Sequence, residues 1–445
     1  MLRALLIALL LVPAAAAQIA LPGPGGSLVP GRLPGLGLAP PQQTLPLLTQ
    51  SLNERIHRFE EARNLRVLDL LHRYPRLIEA DAGGNPIVRD EVLALAPSNA
   101  ALARAGSAGF SVVQVRPLTG LGIRLVILRT PAGTSTWHAL DELRRLDPAG
   151  TYDFNHIYTH SGGVVEDSGS PGVQGEARPA AETHGAPASE KTILGLIDGG
   201  VDVGQPMLQG AVIHQDGCAG ARVPSGHGTA VASLMIGRST RFAGAAPGAM
   251  LYAADVYCGK PTGGAVDAIA AALSWMVHEG VPVINVSLVG PPNALLQQVI
   301  DRVLSDGSLI VAAVGNDGPA APPLYPAAYP GVIGVTAVDA ERRVLFEAER
   351  GPQVMFAAPG ADIEAARVPQ GLAAVRGTSF AAPLVAGLLA RQLHSPDARS
   401  ARLAIQSLIG RAIHLGASGR NTVYGYGLVA AHLPARSWQA ATASD

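Results

Sequence analysis

Cysteine and lysine are scarce in this chain of 445 residues. It holds only Cys218 and Cys258, and only Lys191 and Lys260 among 33 basic side chains. With the many alanines and glycines, the arginine bias reads as codon usage rather than function. Excess charge is missing too: the net charge is −1, so nothing electrostatic favours nucleic acid or an anionic membrane surface as a partner. A zinc site from His214, Asp216, Cys218 and His227 would lack the repeated ligand pair such sites use. Beyond the N-terminus no apolar run approaches membrane-span length without glycines or charges, so no span is expected.

The one such run is N-terminal. Arg3, the stretch Ala4 to Val12, Pro13 and Ala14-Ala15-Ala16-Ala17-Gln18 form the charged region, apolar region and small-residue cleavage site of a secretory signal, too short to span. Residues 1–17 are expected to be removed, leaving the protein secreted or periplasmic. In an oxidising compartment Cys218 and Cys258, with no other cysteine to compete, can form a disulfide; two buried thiols are the other reading.

Three stretches carry chemistry. Gly377-Thr378-Ser379-Phe380-Ala381-Ala382-Pro383 is a small-residue turn opening into the apolar run Leu384 to Ala390. It sets Ser379 at a helix N-terminus, where unpaired N–H groups favour developing negative charge, and Pro383 is tolerated in a first turn. Ile193 to Asp198 is a short buried strand ending in a carboxylate, and Ser225-Gly226-His227-Gly228-Thr229 puts an imidazole at the start of another helix. A carboxylate, an imidazole and a hydroxyl at such junctions are the orienter, base and nucleophile of acyl transfer. Their chain order, Asp198, His227, Ser379, resembles that of the subtilisin-like serine proteases, the subtilases. A fourth stretch, Ile310 to Gly318, resembles the family's oxyanion-hole motif and carries Asn316. A zinc ion on His227 would sequester that base.

The remaining segments read in order. Residues 18–46 are a Pro/Gly-rich linker and 47–84 an amphipathic helical segment with Ile56, Phe59, Leu65, Leu68 and Leu71 at helical spacing. Residues 85–161 alternate β-α-β-β-α-β, a ferredoxin-like α+β arrangement. This resembles the subtilase prodomain, which assists folding and lays its C-terminal tail along the active-site cleft as an intramolecular inhibitor. The tail would end near Ser161, the expected maturation site. Residues 162–190, rich in Gly, Ala, Ser and Pro, are a flexible segment open to autolysis. In 191–435, apolar strands at Leu194–Asp198, Met250–Val256, Val283–Ser287, Leu309–Val314 and Val332–Ala337 alternate with helices. That is an α/β domain with a mainly parallel sheet covered on both faces. Residues 436–445 are a tail.

The resemblance implies an exported serine endopeptidase acting on protein and peptide substrates, made as an autoprocessed precursor. Ser379 would attack, His227 shuttle the proton, Asp198 orient it and Asn316 hold the oxyanion. It also implies a substrate-pairing strand at Ser287, Leu288, Val289 and Gly290, and a primary specificity pocket near Ala313, Gly315 and Leu324. Val289 and Leu324 stand where glycine is usual, which predicts a preference for small residues before the scissile bond (P1). Phe380 replaces an oxidisable Met, Ala230 replaces a second His, and Glu347 with Arg350 sits in a usually Ser/Gly loop. No acidic cluster matches the family's Ca²⁺ loops, so no metal or cofactor is expected and calcium lacks a supporting motif. The rival class is a catalytically silent binding protein on the same fold. An esterase would need Gly-x-Ser-x-Gly, which Ser379 lacks.

Overall fold

The computed structural model describes residues 63–161, 163–164, 192–238 and 243–433. The expected signal (1–17), linker (18–46), most of segment 162–190 and the tail (436–445) lie outside the described residues.

Residues 63–73 are helical and stop before Pro75, whose ring disfavours helical backbone at Tyr74. The helical reading of 47–84 is corrected beyond this point: Ile78–Ala80 is a strand, β1, held by pairing Ile78 with Val88. There follow β2 (Pro86–Leu95), α1 (Asn99–Ser107), β3 (Ser111–Leu118), β4 (Ile123–Arg129), α2 (Thr136–Leu146) and β5 (Thr151–His156). Ser98 and Ser135 cap the two helices, accepting from Ala101 N and His138 N. All pairings are antiparallel, with β2 between β4 and β5 and β3 at the edge.

Both faces of this sheet are apolar. Val92, Ala94, Val126 and Leu128 face α1 and α2, in one core with Ala105, Leu140 and Leu143. Leu93, Leu95, Leu118, Leu125 and Ile127 point the other way, into a core shared with residues 266–303. Period-two alternation therefore buries the central strands β2 and β4 on both faces, and each leucine covered on the far face contributes roughly 1.5–3 kcal/mol.

After Tyr158 come β6 (Thr159–His160) and β7 (Gly163–Val164). The larger layer contains β8 (Ile193–Asp198), β9 (Ile213–Gly217), α3 (Gly226–Ile236), β10 (Met250–Asp255), α4 (Val266–His278), β11 (Val283–Val286), β12 (Leu288–Val289), α5 (Ala294–Ser305), β13 (Leu309–Ala313), β14 (Ile333–Val338), β15 (Val354–Pro359), β16 (Ile363–Ala366), β17 (Leu372–Arg376), α6 (Thr378–Ala390) and α7 (Ala398–Arg411). Seven strands form one parallel sheet in the order β15-β14-β13-β11-β8-β10-β9. Strands β9 and β15 were not among the expected ones.

Helices α3 and α6 pack on one face of the sheet and α4 and α5 on the other. The first pair is buried nearly all round, as central helices without a polar face must be. From β8 the chain runs outward to β9 and β10, then returns to β11 on the other side of β8. The strand order thus switches between β8 and β11, and a crevice opens beyond their carboxyl ends.

Candidate active site

Asp198 is the last residue of β8 and fully buried. Facing it, His227 sits in the first turn of α3, whose N-cap Ser225 accepts from Gly228 N at 2.9 Å. His227 Nδ1 lies 2.9 Å from both carboxylate oxygens of Asp198. Burial alone would raise the Asp198 carboxyl, but its electrostatic and hydrogen-bonding interactions with His227 and His160 outweigh it and hold it far below its ordinary value. Burial pushes His227 down, only partly offset by Asp198, so the imidazole favours its neutral form. Its Nε2 is buried and makes no hydrogen bond.

Ser379 occupies the first turn of α6, behind Gly377 at φ +135°, and is fully buried. Its Oγ is 2.5 Å from the carbonyl oxygen of Ser161, 2.9 Å from Ser161 Oγ and 3.2 Å from the carbonyl oxygen of Ser287. The same Ser161 carbonyl accepts from Ser379 N at 3.2 Å and from Asn316 Nδ2. Asn316 Oδ1 accepts from Thr378 N at 3.1 Å, which turns the amide's N–H₂ toward Ser161. One carbonyl is therefore met by a hydroxyl and two N–H donors, the arrangement that stabilises charge growing on a carbonyl oxygen.

The chain around Ser161 runs through the crevice. Ile157 bridges Ala265, and Tyr158 N donates to Gly264 O at 2.9 Å. Thr159 pairs with Val289 and His160 with Leu288, so that β6 and β12 form a two-stranded antiparallel ribbon apart from the seven-stranded sheet. Past Ser161, Gly163 and Val164 pair with Arg376 and Val375. Gly290 bridges Tyr325 and lies under the Tyr158 ring, where an added Cβ would come within 2.7 Å. Ser287 Oγ donates to the Ser379 carbonyl and accepts from Asn285 Nδ2. Ala313 ends β13 and is fully buried among core residues.

Gly315, at φ +121°, donates to Thr378 Oγ1 at 3.3 Å; a Cβ there would collide with Glu349 Oε1 and Leu324 Cδ1. The sequence did not single out Glu349. It is fully buried; Oε2 accepts from Leu324 N at 3.2 Å and Oε1 has no partner. Burial, then the negative charge of Asp317, push its carboxyl up to about 9. Asp317 follows Asn316 and pairs with Arg63 of the 63–73 helix at 2.8 Å. Also unforeseen are Tyr257, at the end of β10's edge of the crevice, and the contact of His160 with Asp198. Neither stands in a motif, since both roles depend on where the 157–161 tail is laid.

Cys218 and Cys258 form a disulfide with Cα atoms 5.2 Å apart. That sulfur is then closed to a metal, and the His214 ring stacks on Tyr252 instead. Among the described residues His160, Asp198 and His227 also place possible ligand atoms within 4.8 Å of one another, but these are the groups already engaged around Ser379.

Residues 189–427 match the peptidase S8 profile, the subtilase family. The chain belongs to the subtilase family. As a subtilase it is a serine-type endopeptidase. It is 32% identical over 269 residues to Subtilisin BL of Lederbergia lenta, covering 60% of this chain and 98% of that one. It is also 32% identical over 251 residues to Subtilisin DY of Bacillus licheniformis, covering 53% and 88%. The fold of this subtilase resembles that of fervidolysin from Fervidobacterium pennivorans, a keratinolytic enzyme related to subtilisin, with a TM-score of 0.63 at 22% identity. That match covers 79% of this chain and 61% of fervidolysin. Among the described residues of this subtilase no helix is long and apolar enough to cross a membrane.

Proposed function

We propose that this subtilase is an exported precursor that cuts its own chain between Ser161 and Gly162, with residues 85–161 as its prodomain and Asp198, His227, Ser379 and Asn316 as its catalytic groups. The observation that carries this reading is the Ser161 carbonyl, met by the Ser379 hydroxyl, the Ser379 N–H and the Asn316 amide. Pairing on both sides of that residue holds the chain extended across the nucleophile.

In the reaction, Ser379 Oγ bonds to the Ser161 carbonyl carbon while His227 Nε2 takes the hydroxyl proton; no other partner competes for that nitrogen. The oxyanion is held by the two N–H donors, and Asp198 keeps the imidazole with Nδ1 protonated and facing it. His227 then gives the proton to the Gly162 nitrogen as the C–N bond breaks. Water, activated by the same imidazole, releases the Ser161 carboxylate. The tail stays paired with β12 until the prodomain leaves, which makes it an inhibitor before and after the cut. Once free, the cleft takes other peptides in the same register.

A preference for small P1 residues is supported by Ser161 itself and by Leu324, whose Cδ1 crowds Gly315. A peptide-library profile dominated by Phe, Tyr or Arg overturns it. Export is supported by the N-terminal signal pattern and by relatives such as the minor extracellular protease Epr of Bacillus subtilis, 29% identical over 208 residues, 46% of this chain and 32% of that one.

Expression of the Ser379→Ala chain tests the whole reading. It should accumulate as an uncut precursor, while the unaltered chain yields a new N-terminus at Gly162 by sequencing. Asn316→Ala should self-cleave slowly, since one such donor is worth about 10²–10³ in turnover, a magnitude that comes from a subtilisin and not from this chain. Cleavage of Ser379→Ala at the same bond overturns self-processing.

A further inference from the structure

Beside the backbone pairing of the 157–161 tail and its buried Tyr158 ring, the His160 side chain has a slot of its own. Its imidazole lies between two rings, 4.2 Å from the His227 centroid with a 30° tilt and 4.3 Å from the Tyr257 centroid with a 36° tilt. At its edge, His160 Nε2 is 3.2 Å from Asp198 Oδ1, off the line of a hydrogen bond. Asp198 is fully buried, and its other contacts are His227 and the Gly199 N–H. The slot thus has two aromatic walls and an anionic end.

The outer wall is held in place. Asp255 Oδ1 accepts from both Tyr257 N and Cys258 N, the Tyr257 hydroxyl donates to the Tyr158 carbonyl at 3.0 Å, and the next residue, Cys258, is tied to Cys218. The backbone ties hold Tyr257 in the free cleft, and the substrate's own carbonyl three residues before P1 completes the fixation on binding, so little ordering of the wall is left for an arriving ring to impose.

We infer that the subsite for the residue before P1, the P2 position, selects histidine, and that Tyr257 is its specificity-determining residue. This rests on the proposed cleavage after Ser161, which makes His160 the P2 residue of the enzyme's first substrate. Flat rings fill the space between Tyr257 and His227, whereas Leu or Ala leaves part of it empty. Among flat rings, Phe turns only carbon toward Asp198, while imidazole brings a polar nitrogen within 3.2 Å of a buried carboxylate, an electrostatic contact that carbon cannot make. The class of substrate is a peptide with a small residue at P1 and histidine at P2, entering as an extended strand.

The test uses the self-processed enzyme and quenched fluorescent peptides Tyr-Thr-X-Ser-Gly, with X as His, Phe, Leu or Ala, at pH 8. The expected order of kcat/KM is His, then Phe, then Leu and Ala. His should exceed Ala by roughly tenfold, the size of one aromatic contact and one polar contact to a buried charge. Tyr257→Ala should bring the His and Ala peptides within about twofold of each other, while Tyr257→Phe keeps the order. A flat profile, or His below Ala, from enzyme that a fluorophosphonate labels at Ser379 overturns the P2 assignment alone. Absence of both turnover and labelling overturns the self-cleavage reading, and the P2 assignment with it. The wild-type profile decides the matter even if Tyr257→Ala fails to fold.

Discussion

At the scale of single residues, the site holds two carboxyl groups that burial treats in opposite ways. Asp198 stays ionised because two imidazoles surround it, whereas Glu349 has Asp317 nearby and one N–H, and keeps its proton. A carboxyl raised from 4.5 to about 9 in the folded chain binds a proton there that the unfolded chain has lost. Its contribution to stability is complete below the unfolded value and is lost as pH rises through the folded one. Urea unfolding of the uncut Ser379→Ala chain at pH 6 and pH 10 should therefore show a loss of stability that is smaller when Glu349→Gln is added. Equal losses would mean that Glu349 is ionised in the fold. Nothing in Ala348-Glu349-Arg350 distinguishes this residue from an exposed loop acid in the sequence; only the return of the chain beside Gly315 buries it. The residues bearing Asp198, His227 and Ser379 were legible because each stands in a local pattern, a strand or turn feeding a helix, that needs no tertiary information. His160 and Tyr257 have no such pattern and meet only because two distant segments line one crevice.

At the scale of elements, β5 does more than complete a sheet. Its Asp153 Oδ2 accepts from Ala294 N at 2.6 Å at the start of α5, and Asn155 exchanges hydrogen bonds with the Asp267 N–H and carboxylate at the start of α4. Two helices of the larger layer thus take part of their N-terminal capping from the smaller one, where exposed N–H groups and the helix dipole favour a carboxylate. Asp153→Ala in the Ser379→Ala chain should cost about 1 kcal/mol, the usual size of a lost cap, read as a lower midpoint in chemical denaturation. No change in midpoint would show that water replaces the carboxylate without loss. The helices α4 and α5 could be read from apolar periodicity, and so could β2 to β5. The edge strands β9 and β1 could not. In β9, Ile213-His214-Gln215-Asp216-Gly217 is half-exposed and polar, and its strand geometry comes from pairing with β10. In β1, three residues beyond a proline acquire their form from Pro86 to Val88 alone.

At the scale of the whole molecule, the small sheet and the seven-stranded sheet share a core. Leu93, Leu125 and Ile127 lie in the same apolar cluster as Leu273, Leu296 and Val299. Unfolding of one layer alone would expose those leucines, so the Ser379→Ala chain should unfold in a single transition, with fluorescence and circular dichroism coinciding. Two separated transitions would mean that the shared cluster contributes little to cooperativity. Under the proposed cleavage, the two-faced apolar sheet would also govern the fate of the fragment ending at Ser161. Such a fragment would stay folded only while something covers Leu93, Leu118 and Leu125, as residues 266–303 do here. Its departure and its collapse would then be one event. On that reading latency would end at a rate set by how often the sheet comes undone, and a fragment that has come undone would be an extended chain, open to digestion by the freed cleft rather than to rebinding.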